Sequence, residues 1–167
     1  EASVTVFRRG SRLAAEFAVP LGGEGIDLRL VKTVVLRAGG ERFEARFRLE
    51  NRGAATASGW FCSEWNLNLL SGNGPDRYYE GLGDTRSLSS RGGAEGVLRF
   101  RVVDGWRGVA AEATLDRECA VLCYPVETAS LSEAGAEKIH QGVCLRILFP
   151  VLLIPPFPWQ HGGNPVQ

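Results

Sequence analysis

Apolar and polar residues alternate with a period of two along most of this chain, and helical periodicity is nearly absent. The pattern is cleanest over residues 43–49. There Phe43, Ala45, Phe47 and Leu49 fall on one side, and Arg42, Glu44, Arg46, Arg48 and Glu50 on the other. Such a segment is a strand with one buried and one wetted face. The same alternation predicts strands over 4–7, 13–19, 26–37, 60–70, 97–103, 106–115, 118–128 and 138–149. Turn residues punctuate them: Ala38-Gly39-Gly40, Asn51-Arg52-Gly53, the run from Ser71 to Asp76, and Asp104-Gly105, a strong short hairpin signal. Residues 80–96 are polar and hold Gly81, Gly83, Gly92, Gly93 and Gly96, which predicts a long exposed loop.

Eight or more strands without an amphipathic helix imply an all-β fold, a two-sheet antiparallel β-sandwich with its sheets face to face. A length of 167 residues suits one domain spanning 1–167. Residues 150–167 read as an extended proline-rich tail, because Pro150, Pro155, Pro156 and Pro158 lack the amide that a central ladder needs.

Charge narrows the function classes. Seventeen arginines and two lysines are matched by 19 acidic residues, leaving no net charge, and no block of like charge occurs. A nucleic-acid partner is therefore not expected. No membrane is expected either: no signal-peptide pattern opens the sequence, and the apolar run 147–154 contains Pro150 and falls far short of the roughly 18 residues of a span. The sequence has no methionine and starts abruptly in an alternating segment, which suggests a piece of a longer polypeptide.

Cys62, Cys119, Cys123 and Cys144 have no zinc-ligand spacing. Cys119 and Cys123 share a strand face but lie roughly 13 Å apart, too far to bridge. Four buried free thiols in a reducing, cytoplasmic setting are the expectation, with an inter-strand disulfide as the alternative. No Rossmann fingerprint or P-loop is present, so no cofactor and no metal are expected.

Two stretches could carry chemistry. In residues 60–70 alternation sets Phe61, Ser63, Trp65, Leu67 and Leu69 against Cys62, Glu64, Asn66, Asn68 and Leu70. A ladder of Glu64, Asn66 and Asn68 offers acceptors and amide donors in a row, suited to vicinal hydroxyls; the competing reading is a solvated outer face or a buried polar network joining two strands. The second stretch, residues 123–142, holds Glu127, Glu133, Glu137, His140 and Gln141. Two such carboxylates could serve a hydrolase, but sequence spacing does not fix their separation across strands. Trp60, Trp65, Trp106, Trp159, Tyr78, Tyr79 and Tyr124 are candidates to stack on a sugar ring unless they fill the core, and Tyr78 and Tyr79, beside the glycine-rich loop, are the ones expected to be exposed.

The runs FCSEWNLNLLSG, DRYYEG and GWRGVAAEATLDRECAVLCYPVETASLSEAGAEKIHQGVCL also resemble the C-terminal sandwich domain of glycoside hydrolase family 57, the α-amylases and 4-α-glucanotransferases. The likeness covers about residues 30–149 and is looser at both ends. It implies a galactose-mutarotase-like supersandwich that accompanies a catalytic barrel lying N-terminal in the same polypeptide. The family's catalytic carboxylates reside in that barrel, so no catalytic residue is implied here. By resemblance, Glu64, Asn66 and Asn68 match the polar strand, and Glu127, Ser132, Glu133, Glu137 and Gln141 match the second motif. Candidate carbohydrate-binding residues are then Glu64, Asn66, Asn68, Tyr78, Tyr79, Trp106, Glu127, Glu133 and Gln141, with an α-glucan or maltooligosaccharide as ligand. One alternative is a mutarotase-like or hydrolytic enzyme using Glu127, Glu133 or His140. Another is an interaction domain without a ligand.

Overall fold

The computed structural model describes residues 1–23, 25–69, 72, 74–132 and 135–156, and all regular structure among them is strand. The strands form two antiparallel sheets, one of four and one of five, which is the all-β architecture expected. The chain divides into two compact units, residues 1–59 with 151–167, and residues 60–150.

The four-stranded sheet is a meander of β1 (Ser3–Arg9), β2 (Arg12–Gly23), β3 (Ile26–Arg37) and β4 (Phe43–Asn51), each paired with the next. Register places Val6, Ala15, Val34 and Ala45 in one cross-strand row, Leu13, Leu36 and Phe43 in a second, and Val19, Leu30 and Leu49 in a third. Because side chains alternate between faces, these rows share one apolar face. The opposite face sets Arg29, Arg48, Glu44 and Glu50 around the small buried residues Ala14, Ala18 and Val31. Glu50 pairs there with Arg48 at 3.2 Å and Arg29 at 3.8 Å.

The five-stranded sheet has the order β5-β9-β8-β7-β6. Its members are β5 (Ala57–Leu67), β6 (Arg77–Glu80), β7 (Gly92–Asp104), β8 (Val109–Ser132) and β9 (Gly135–Leu153). One face buries Val97, Phe100 and Val102 of β7, Cys119, Val121 and Cys123 of β8, and Val143, Leu145 and Ile147 of β9. Trp65, Leu67 and Leu69 pack against this cluster from the β5 side.

Several sequence expectations are corrected here. Strands predicted over 106–115 and 118–128 are one continuous strand, β8. The polar run Asp116-Arg117-Glu118 looks like a break and does lie in an irregularity, since β8 passes from Cys119 to Thr114 while β7 passes only from Val97 to Arg99; the strand bulges there without ending. The hairpin at Asp104-Gly105 turns through residues 105–108, with the left-handed backbone at Gly108 (φ 64°) rather than Gly105, and Trp106 lies in this turn. β9 runs through Pro150 to Leu153, so the tail begins later than expected; residues 157–167 lie outside the described residues.

The predicted exposed loop is also different. β7 starts at Gly92, and residues 81–91 fold back so that Leu82 and Leu88 are fully buried. The Tyr79 amide donates to the Arg86 carbonyl at 2.7 Å and the Gly93 amide to Thr85 Oγ1 at 3.2 Å. Two isolated leucines among glycines and serines carry no periodic signal, which is why the sequence conceals them.

Between β8 and β9 the register is regular from Ala120↔Leu148 to Val126↔Gly142, then shifts so that Glu127 faces His140. Gln141 is the extra residue of a bulge. Beside it, a Cβ at Gly142 would collide with the Leu67 carbonyl and the Asn68 Cα. The β5 end can approach β9 this closely only over a glycine. Gly142→Ala is therefore expected to lower stability by about 1–3 kcal/mol, as backbone must shift to admit the methyl, read from the urea midpoint.

At the other edge, Asp104 is buried (2% exposed) and accepts from Arg77 Nε at 3.2 Å and the Arg107 amide at 3.2 Å. Arg77 is itself largely buried, with Asp76 a second carboxylate at 3.7 Å. Asp104→Ala strands most of that buried charge, and a loss of about 2–3 kcal/mol is expected in the same unfolding experiment.

Candidate functional site

Alternation on β5 works as the sequence predicts. Ser63 is buried and Trp65 packs on the core, with its indole Nε1 donating to Ser63 Oγ at 2.9 Å, while Glu64, Asn66 and Asn68 face outward and are exposed. Glu64 accepts from Asn66 Nδ2 at 3.3 Å and from Arg146 Nε of β9 at 2.9 Å. The Arg146 guanidinium lies 5.4 Å from the centre of the Tyr124 ring on β8, and Cys144 is buried on the same face. Glu64, Asn66, Arg146 and Tyr124 thus form a continuous polar and aromatic strip across three strands. The hydrogen bond from Arg146, helped by Asn66, holds the Glu64 carboxyl below the usual carboxylate range, so it is an acceptor and not an acid. The Cys144 thiol holds the Tyr124 hydroxyl above its ordinary pKa. Arg146 was absent from the sequence candidates, and its approach to Tyr124 is visible only once register sets Leu122 opposite Arg146 and Tyr124 opposite Cys144.

The tyrosine pair divides. Tyr79 is 1% exposed and belongs to the core, so the expectation that it is exposed fails. Its hydroxyl lacks a full hydrogen bond; the weak Cys123 thiol is its neighbour, and burial raises the pKa of both groups. Tyr78 is half-buried, bridged to Ser87. Alternation on a short edge strand decides which ring turns inward. Trp106 stands 78% exposed in the β7–β8 turn, with the Arg77 guanidinium 5.9 Å from its ring centre.

The second motif occupies the part of the β8–β9 hairpin beyond the bulge. Glu127 pairs with Lys138 at 3.7 Å, and Gln141 Nε2 donates to Thr128 Oγ1 at 3.2 Å. Glu133 lies outside the described residues. His140 faces Glu127 in register, yet both its ring nitrogens are buried without a hydrogen-bond partner among the described residues. Burial lowers its pKa, and the Glu127 charge only partly opposes this. Glu64 and Asn66 are not joined to Glu127 or Gln141 by any contact seen here, so the candidates form separate patches along the sheet.

All four cysteines are free; three are buried, but Cys62 is exposed, against expectation, because the outward face of β5 is open at that point. Burial raises the Cys119 thiol pKa, making it a poor nucleophile. Among the described residues no cluster of His, Cys, Asp or Glu is arranged to hold a metal ion.

Comparison with known proteins fits this geometry. The chain is 41% identical over 93 residues to alpha-amylase 1 of Dictyoglomus thermophilum, covering 56% of this chain and 13% of that protein. It is 43% identical over 53 residues to a 4-alpha-glucanotransferase of Thermococcus kodakarensis, covering 32% of this chain and 8% of that one. The solved 4-alpha-glucanotransferase of Thermococcus litoralis superposes with a TM-score of 0.60 at 25% identity, over 90% of this chain and 21% of that structure. The chain thus spans only a small part of the length of each relative. Residues 3–161 match the family described as alpha-amylase/4-alpha-glucanotransferase, C-terminal, and the chain, with its two antiparallel sheets, belongs to that family of C-terminal domains.

Proposed function

We propose that this chain is the non-catalytic accessory domain of an α-glucan-processing glycosidase or glucanotransferase, and that it supports the catalytic barrel of the same polypeptide. The carrying observation is the apolar face of the four-stranded sheet. Val4, Val6, Leu13, Leu36 and Phe43 share that face and are 46% exposed or more, Val6 reaching 63%. A largely apolar face of this kind, interrupted by Lys32 over the Phe47 ring, is a surface for another protein element. Membership of a C-terminal domain family makes the remainder of the polypeptide the occupant, since the relatives extend far beyond the matched region.

The titratable groups support a non-catalytic role. Glu64 is held ionised by Arg146, and Glu127 is paired with Lys138. An imidazole acting as general base is oriented by a hydrogen-bond partner, and His140 has none on either nitrogen among the described residues. Its opposition to Glu127 is the one feature that favours the mutarotase-like alternative, and the dry setting of the ring weighs against it. The unbridged buried thiols suit a reducing, cytoplasmic compartment.

Complementation tests the reading. The purified chain is expected to release no reducing ends from soluble starch. Added in trans to a parent enzyme lacking this domain, it is expected to restore activity and melting temperature, whereas a Val6→Glu/Leu36→Glu variant does neither. Reducing ends released by the chain alone would sink the accessory role.

His140 gives an independent check. Its folded pKa lies below the unfolded value of about 6.5, so the unfolded chain binds the proton more readily. The stability this imidazole supports is full above about pH 6.5 and is lost as pH falls through the folded pKa. His140→Gln is expected to flatten the urea midpoint between pH 7 and 5, and an unchanged slope would show that another group titrates there.

A further inference from the structure

We propose that the Trp106 turn between β7 and β8 is a carbohydrate-binding site, in which a pyranose ring of an α-glucan stacks on the indole. The inference rests on the reading that the parent enzyme acts on α-glucans, and it adds a function that supporting a catalytic barrel does not require.

The observation is an exposed aromatic ring on an overbuilt turn. Trp106, at 78% exposed, is more open than Trp60 at 65%, while Trp65 packs on the core. Yet the backbone beneath Trp106 is fixed at several points. The Gly105 amide donates to the Asp76 carbonyl at 2.8 Å, and the Gly108 amide to the Gly105 carbonyl at 3.2 Å. A Cβ at Gly105 would press on that same Asp76 carbonyl, so the turn fits tightly against residue 76. Between them, the buried Asp104 carboxylate takes the Arg107 amide and Arg77 Nε. A buried carboxylate and a largely buried arginine are a costly way to close a hairpin. Their geometric result is a large ring held in solvent on a rigid base, and binding to a pre-organised group loses less ordering entropy.

The surroundings select the ligand. Arg77 lies 5.9 Å from the ring centre, Arg107 is 47% exposed beside it in the turn, and Asp76 is 40% exposed. The rim therefore offers the Arg107 guanidinium as donor and the Asp76 carboxylate as acceptor around one apolar plate, with Arg77 set beneath them. A sugar presents that complement: an apolar C–H face to lie on the ring, with hydroxyls at its edge to meet donors and acceptors. A protein interface would need a broad apolar core around its anchor, and this turn sets charged groups there instead.

Isothermal titration of the chain with maltoheptaose tests the site. Wild type is expected to bind saturably. Trp106→Ala is expected to weaken binding by about tenfold or more, as for other anchoring tryptophans. Trp106→Phe should retain most affinity, and Trp60→Ala should match wild type. Matching circular dichroism and melting curves will show that each variant is folded. Equal affinity of Trp106→Ala and wild type, or an equal loss in Trp60→Ala, would overturn this site. Absence of wild-type binding would overturn it as well, while the complementation experiment would still decide the accessory role separately.

Discussion

The pairing of β8 with β9 is the constraint on which the larger sheet depends. These strands, of 24 and 19 residues, bring Val121 opposite Ile147, Cys123 opposite Leu145 and Pro125 opposite Val143. A slip of one residue would turn all of β9's core residues to the outer face and bring Cys144, Arg146 and Leu148 inward. Burial of a charged Arg146 makes that slip prohibitive. β7 then aligns on one side of the pair and β5 on the other, and the Tyr79, Leu82 and Leu88 cluster closes against the result.

The same pairing organises the polar groups. On the core side of the Gln141 bulge the hairpin lies within the sheet; beyond it, Glu127, Lys138 and His140 occupy a two-stranded ribbon. Across the sheet the outward residues of β5, β9 and β8 meet as Glu64, Arg146 and Tyr124, whose contacts depend on three strands in fixed register. At the far edge, Arg77 and Asp104 are direct partners across β6 and β7, which anchors the turn that carries Trp106. Each patch is thus a product of sheet order, and each is built mainly from charged groups with ion-pair partners. The exposed pairs, Glu64–Arg146 and Glu127–Lys138, contribute little stability but do fix side-chain direction, whereas the Arg77–Asp104 pair is buried.

Much of this was legible in the sequence, and the reason is the two-residue period. Residues 60–67 show their faces directly, so the outward placement of Glu64 and Asn66 follows from alternation; over 43–49 alternation sorts the two faces, but the apolar face expected to be buried leaves Phe43 53% exposed. The strands predicted over 118–128 and 138–149 pair with each other, and Gly142 of the second is now explained by its approach to Leu67. What misled was composition: a polar tripeptide at 116–118 concealed the continuity of β8, and glycines at 81–96 concealed two core leucines. Tyr78 and Tyr79 were indistinguishable as neighbours until pairing with β7 assigned them faces.

The sequence by itself determined the strand class, the two alternating sets of side chains within most strands, and the family, because each is a property of local pattern. Only the tertiary structure decided which outward residues meet, as with Arg146 and Glu64, 82 positions apart. It also decided which aromatic ring stays in solvent, as with Trp106. Those outcomes depend on register, bulges and sheet order, which arise from long-range pairing and leave no trace in neighbouring residues.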